Sequence, residues 1–379
     1  MPSILTRPSG GGGGATPKSI TLAVTDSGGN PITEAGFSSE IFLTATEAGF
    51  TATSYRFYAI DSLGVVVNIY EGANDNTSWS ISLSGSIRLF AEASDDDENW
   101  AGVDVNFTVI GNPILDADEI YSIRLINGLY TGALINVRRS SDNATDDFYP
   151  DSNDRISDSS ENGSGTALST WLGGSDGFVT KWYDQQENAD AIQITAGAQP
   201  QIASSGTVIL QDGLATIDFG GANYFTTLAT KATENTVYMV AKCDTFGGTK
   251  ENTRLIDLHD GLASSSLILD GTATRMKNSS WQLTNTATNY NARDTNRHLF
   301  SAYFKSASNA FRRDAATETG SAGTSVSIAG TTSTIGIRGD FQNTTFLDGN
   351  IQEIIIFNND QTSNQTVIED NINNYYTIY

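Results

Sequence analysis

The chain has 379 residues, 38% of them hydrophobic, with 17 Phe, 14 Tyr and 5 Trp, and a formal net charge of −23 at pH 7. That length exceeds the needs of one ordinary domain, and the aromatic supply is enough to bury real cores, which excludes global disorder. So acidic a surface repels phosphate backbones and anionic bilayers, so no nucleic-acid partner and no membrane insertion are expected.

Residues 1–18 read as an arm with a glycine run from Gly10 to Gly14, flexible by composition. The arm lacks the apolar core of roughly 7–15 residues that a signal peptide needs, so synthesis in a cytoplasm without signal-peptide export is expected. Residues 19–110 carry short apolar runs separated by turn residues. In "VDVNFTV", Val103, Val105, Phe107 and Val109 alternate with Asp104, Asn106 and Thr108, the pattern of a half-buried strand. The whole stretch predicts an Ig-like β-sandwich, and "SISLSGSIRLFAEASDDDENW" resembles the late hairpin of bacterial Ig-like and PKD-type modules. Asp95, Asp96, Asp97 and Glu98 are expected as a solvated hairpin tip, with a calcium site as the alternative.

A linker is expected at 111–118, and a second domain over 119–379. "DEIYSIRLING" suggests a short helix at its start. Strand signals then run through "ALINVRR", "FVTKWYD", "LATIDFG", "NTVYMVAKC", "RLIDLH", "SLILDG", "HLFSAYF", "TSTIGIRG" and "NIQEIIIFN". Near the end Ile368, Ile372 and Tyr375 fall at helical spacing, with Thr362 as the expected N-cap. Many short strands closed by one helix predict a two-sheet jelly roll, and the fold class is all-β. The single cysteine, Cys243, sits in an apolar run and is expected as a small core residue. The two histidines, His259 and His298, have no zinc-ligand spacing, so no resident metal or other cofactor is expected. A calcium ion held by the acidic run Asp142–Glu161 stays open as an alternative, although that run does not follow the EF-hand pattern.

"YSIRLINGLYTGALINVRRSSDNATDDF", followed by "GFVTKWYDQQENADAIQITAGAQPQI" and "ATIDFGGANYFTT", resembles a concanavalin A-like jelly-roll group. That group includes the arabinofuranosidase B catalytic domain and phage virion proteins with LamG-like domains. The ending "GNIQEIIIFNNDQTSNQTVIEDNINNYY" is similar to the last strand and helix of LamG-like domains. The resemblance implies a concanavalin A-like fold over most of 119–379. It does not extend to the enzymes' catalytic carboxylates, and their adjacent cysteine pair is absent.

Neighbouring side chains on a strand face opposite ways, so one of Arg138 and Arg139 should turn inward. An inward arginine needs a partner, and carboxylates are offered by Asp184 in "WYDQ" and Asp142 in "SSDNA". A buried or half-buried pair with Asp184 is expected, the other arginine being solvated or pinning the acidic loop, with a sugar-binding polar site as the alternative. Trp171, Trp281 and Tyr290 are the candidate stacking faces for sugars. The functional expectation is a bacteriophage virion structural protein, a capsid decoration protein or a head or tail fibre. Its arm would bind other virion proteins, and its jelly roll would face outward toward host surface glycans. Homo-oligomerisation and assembly into the virion in the host cytoplasm belong to the same expectation. No catalysis is expected; an arabinofuranosidase-type glycoside hydrolase and a bacterial surface adhesin are the alternatives.

Overall fold

The computed structural model describes residues 19–36, 40–60, 66–80, 85–95, 100–110, 113–244, 253–259, 264–269, 274–279, 296–305, 310–317, 332–337 and 346–379. The arm, the tip residues Asp96, Asp97 and Glu98, and the proposed sugar platforms Trp281 and Tyr290 lie outside the described residues. The chain divides into two compact units, Met1–Asn112 and Pro113–Tyr379.

The first unit has two sheets. Ser19–Thr25, Glu40–Ala48 and Asn76–Ser80 form one; Glu34–Gly36, Trp100–Ile110, Gly85–Ser94, Ser54–Ile60 and Val66–Gly72 form the other, in that spatial order. Strict alternation in "SITLAVT" sends Ile20, Leu22 and Val24 inward, where they join Ile41, Leu43, Phe57, Leu89 and Val103 in one core. The turn "DSGGN" closes because the Asp26 carboxylate accepts from the backbone N–H groups of Gly28 (2.9 Å) and Asn30 (2.8 Å), with Gly29 at φ +78°.

The second unit is all-β apart from short helical segments and the terminal helix Gln365–Tyr376. Its strand pairs are antiparallel, and they fall into two layers. The first layer runs Glu119–Ser122, Gly349–Phe357, Asn235–Cys243, His298–Phe304, Ala310–Arg313. The second runs Thr145–Phe148, Ile135–Arg139, Gly177–Trp182, Ala191–Ile192, Phe225–Thr227, Thr332–Ile335, Thr253–His259, Ser264–Leu269, Thr274–Ser279. Ile217–Asp218 stitches the layers at an edge by pairing with Gly349–Phe357 and with Gln201–Ser204. Between the layers lies one apolar core in which Tyr121 meets Trp182 at 6.0 Å and Trp182 meets Phe225 at 6.3 Å. Cys243 is buried in that core and forms no disulfide.

Two expectations are corrected here. "DEIYSIRLING" is not a helix: after a 3₁₀ turn at Pro113–Asp116, Glu119–Ser122 is a strand with all four residues buried. Its apolar side chains fit an edge that Gly349–Phe357 leaves open, and ladder bonds plus burial on both faces override the local helical pattern. The terminal helix begins at Gln365 with Asn364, not Thr362, at the N-cap. Its buried stripe is Ile368, Glu369, Ile372 and Tyr376, with Tyr375 only partly covered.

That helix lies on the outer face of the first layer, and the charges trapped beneath it are paired. Arg124 makes a two-pronged contact with Glu353 at 2.8 and 3.0 Å, and Ser122 and Tyr376 donate to the same carboxylate. Arg312 grips Glu369 of the helix at 2.8 and 2.9 Å, and Ser301 also donates to Glu369. Removing one partner of such a pair leaves an uncompensated buried charge. Glu353→Ala should therefore lower the unfolding free energy of the second unit by about 3–5 kcal/mol, read from urea denaturation curves.

Candidate functional site

The second layer has one face on the core and one turned away from it. On the outward face, strand registers line up a single transverse row: Asp147, Asn136, Lys181, Ile192, Thr226, Thr334 and Asp257. The row crosses seven strands, roughly 30 Å at the usual strand spacing. The sequence folds this way because the alternate positions Ile135, Val137, Trp182, Ala191, Phe225, Ile335 and Ile256 are fully buried and claim the core side.

Near Asp147 the row is a hydrogen-bonded polar and aromatic surface. Asn136 Nδ2 donates to Asp147 at 2.6 Å, and the Tyr183 hydroxyl donates to the same carboxylate oxygen at 2.7 Å. The Thr180 hydroxyl donates to Asn136 Oδ1. A bulge between Asn136 and Val137 lets Thr180 and Lys181 share the outward face. Lys181 bonds Asp190 at 3.3 Å and sits 4.8 Å from the Tyr183 ring centre. Burial, then the Asp147 carboxylate, pushes the Tyr183 phenol up, so it stays a neutral donor. Ile192 and, two residues on, Ile194 are exposed beside this group.

At the other end the row is covered. Thr334 and Asp257 are fully buried, and by alternation His259 shares their face at 6% exposure. Neither ring nitrogen of His259 has a hydrogen-bond partner among the described residues. Among those residues no group of three or more His, Cys, Asp or Glu could hold a metal ion. The carboxylates of the Asp142–Glu161 run bond within the protein: Asp151 accepts from Asn153 N–H (2.7 Å) and the Ser157 hydroxyl (2.7 Å), and Asp158 accepts from Val208 N–H (2.8 Å).

The expected pairing of an arginine with Asp184 is not made. Val137 takes the core position, so Arg138 faces outward, where it lies over the Phe178 ring and donates to Gln199 Oε1 (2.7 Å) and Asn143 Oδ1 (2.9 Å). Arg139 ends the strand and turns sideways. It bonds both oxygens of Asp142 and the carbonyl of Trp171, with its guanidinium over the Trp171 ring. Arg139 thereby lies over the Trp171 ring, which packs edge-on against Phe148 at 5.3 Å and stays half-buried. Asp184 is 1% exposed and accepts four backbone N–H bonds, from Ile120, Gln186, Asn188 and Ala189, at 2.7–3.1 Å. It organises the turn after "WYDQ" and ties that turn to the first strand; burial holds its carboxyl above the ordinary value.

The sequence reading missed Asn136, Asp147, Thr180 and Tyr183. The signal was present in "INVRR" and "VTKWY", where polar residues alternate with buried Ile135, Val137, Val179 and Trp182. It also missed a contact wholly inside the sandwich, Glu119 with Lys231, whose members lie 112 positions apart. Burial pushes the Lys231 amine down to about 7.

No family model matches the chain, and no curated protein matches it. Among solved structures it is similar to domain 4 of AbnA, a GH43 extracellular arabinanase from Geobacillus stearothermophilus, at 14% identity and TM-score 0.35. That likeness covers 44% of this chain and 83% of that one. It is also similar to a Trypanosoma rangeli sialidase at 11% identity and TM-score 0.37, over 93% of this chain and 52% of that one. A third likeness is to the alginate lyase AlgAT5 of polysaccharide lyase family 7, at 11% identity and TM-score 0.23, over 47% and 79%. The chain thus spans about half the length of the sialidase. The expectation of no catalysis is corrected here and withdrawn, because structures of glycoside hydrolases and sialidases stand among those the chain resembles. Identities and TM-scores this low carry none of those proteins' chemistry to particular residues here.

The Arg139–Asp142 contact makes a direct prediction. Arg139 beside it, helped by Ala144 N–H, holds the Asp142 carboxyl at about 2, below the ordinary 3.8. The contact's contribution is present above pH 3.8 and is lost as pH falls toward 2. In carbon-detected NMR titration, Asp142 should show a midpoint near 2 in the native protein, and Arg139→Ala should return it toward 3.8.

Proposed function

We propose that this chain is a surface component of a bacteriophage virion, a decoration protein or fibre, and that the outward face of its second unit recognises host glycans. The virion reading is supported by the "YTG", "RRSSDNA", "WYDQ" and "FGGANYF" motifs, in order over roughly a hundred residues, and by the LamG-like ending. The glycan reading is carried by one observation, the outward row with Asn136, Asp147, Thr180, Tyr183 and Lys181 at its accessible end. Amide, carboxylate and hydroxyl groups held in fixed positions match the paired donor and acceptor character of sugar hydroxyls, and the Tyr183 ring offers an apolar edge. Residues 1–18 would attach the chain to other virion proteins, and self-association would multiply weak sites.

Immunogold microscopy with antibody to this chain should label the particles of the phage that encodes it, and an absence of label on every particle rejects the virion reading. On an array of host surface glycans the wild-type chain should bind a defined subset. Asn136→Ala and Tyr183→Ala should each weaken that binding about tenfold, the effect of one lost hydrogen-bonding group. Binding unchanged in both variants places recognition elsewhere.

A glycan-cleaving activity of arabinofuranosidase type is the second reading. It is favoured by the motif resemblance to the arabinofuranosidase B group, which does not extend to that group's catalytic carboxylates. Hydrolysis of an aryl arabinofuranoside by the wild-type chain supports it, and inertness of the wild-type chain toward that substrate rejects it.

A further inference from the structure

Glu119 and Lys231 meet inside the second unit with no solvent exposure on either side chain. Glu119 comes from the strand that opens the unit, and Lys231 from the segment after Phe225–Thr227. Lys231 Nζ bonds Glu119 Oε1 with no further hydrogen bond among the described residues, and burial outweighs the Asp118 carboxylate that favours its charged form. An ammonium group here would hold a full charge and two unpartnered N–H groups away from water, an arrangement that burial strongly disfavours.

The proton count around Glu119 points the same way. The Tyr121 hydroxyl lies 2.7 Å from Glu119 Oε2 and also within hydrogen-bonding distance of the Ala189 carbonyl. A phenol has one proton. It cannot satisfy a carbonyl and a carboxylate together, because both only accept. If Tyr121 donates to Ala189, the contact with Glu119 is satisfied when Oε2 carries the proton and donates to the phenol oxygen. The consistent arrangement is a neutral carboxylic acid facing a neutral amine.

We propose that Glu119 and Lys231 condense to an intramolecular amide, a covalent bolt across the sandwich. Lys231 Nζ attacks Glu119 Cδ, the Nζ–Cδ bond forms and the Cδ–Oε2 bond breaks. Oε2 departs as water with its own proton and one from the amine, so no co-reactant is needed. Tyr121 and Thr227, whose hydroxyls are 2.7 and 3.2 Å from Oε2, are placed to carry the second proton to the leaving oxygen. The product holds no charge in the core, and before the reaction the fold keeps the nucleophile and the acid in contact, the condition under which intramolecular reactions are fastest. It also joins the first strand of the unit to the segment that follows Phe225–Thr227.

Intact-protein mass spectrometry of the full chain under denaturing conditions tests this directly. The expected mass is that of the sequence less one water, and tandem spectra of a digest should contain a branched peptide joining Glu119 to Lys231. Glu119→Ala and Lys231→Arg should each restore the full sequence mass. A wild-type chain at its full sequence mass overturns the proposal. So does a water loss that persists in Lys231→Arg, because the loss then arises elsewhere.

Discussion

The strand Gly349–Phe357 has partners along both edges and cover on both faces, and the second unit is organised around that fact. Asn235–Cys243 lies on one edge, and Glu119–Ser122 and Ile217–Asp218 share the other. All nine of its residues are buried. Side chains on one face enter the core, while those on the other meet the terminal helix. A strand in this position has no tolerance for an unpaired polar group. Glu353 is therefore met by Arg124, Ser122 and Tyr376, groups drawn from both ends of the unit. The helix is held in turn by Arg312 on Glu369.

The two layers differ because only one of them is covered by this helix. In the first layer the charges under the helix are paired, Arg124 with Glu353 and Arg312 with Glu369. In the second layer the outward face near Asp147 keeps contact with solvent, and polar residues there can be arranged for recognition. The change along the row from half-exposed Asn136 and Lys181 to fully buried Thr334 and Asp257 gives that face an open end and a covered end.

How much of the site was legible in the chain follows from which spacings a local pattern encodes. "INVRR" announces a strand, and alternation alone says that Asn136 and Arg138 share a face opposite Val137. What alternation does not say is which face is the core. The choice of an inward arginine went wrong because Val137, not either arginine, fits the space beside Val179 and Trp182. Asp184 was rightly singled out as a buried carboxylate, but its partners are four backbone N–H groups. A sequence cannot display those, since every residue has one. The mistaken helix at "DEIYSIRLING" has a similar origin, since the ladder that makes it a strand is supplied from more than 200 residues away.

The sequence by itself determined the all-β class, the position of most strands of the second unit, the closing helix and the acidic character of the surface. These depend on period-two alternation, turn residues and composition, all of which act over a few neighbours. Only the tertiary structure decided which face of each strand is core, and hence that Asp147, Asn136 and Lys181 form one row. It also decided that Glu119 meets Lys231 and Arg124 meets Glu353, pairs separated by 112 and 229 positions. The physical reason is that a charge's partner is set by what surrounds it once water is excluded, and no local pattern in the chain records that environment.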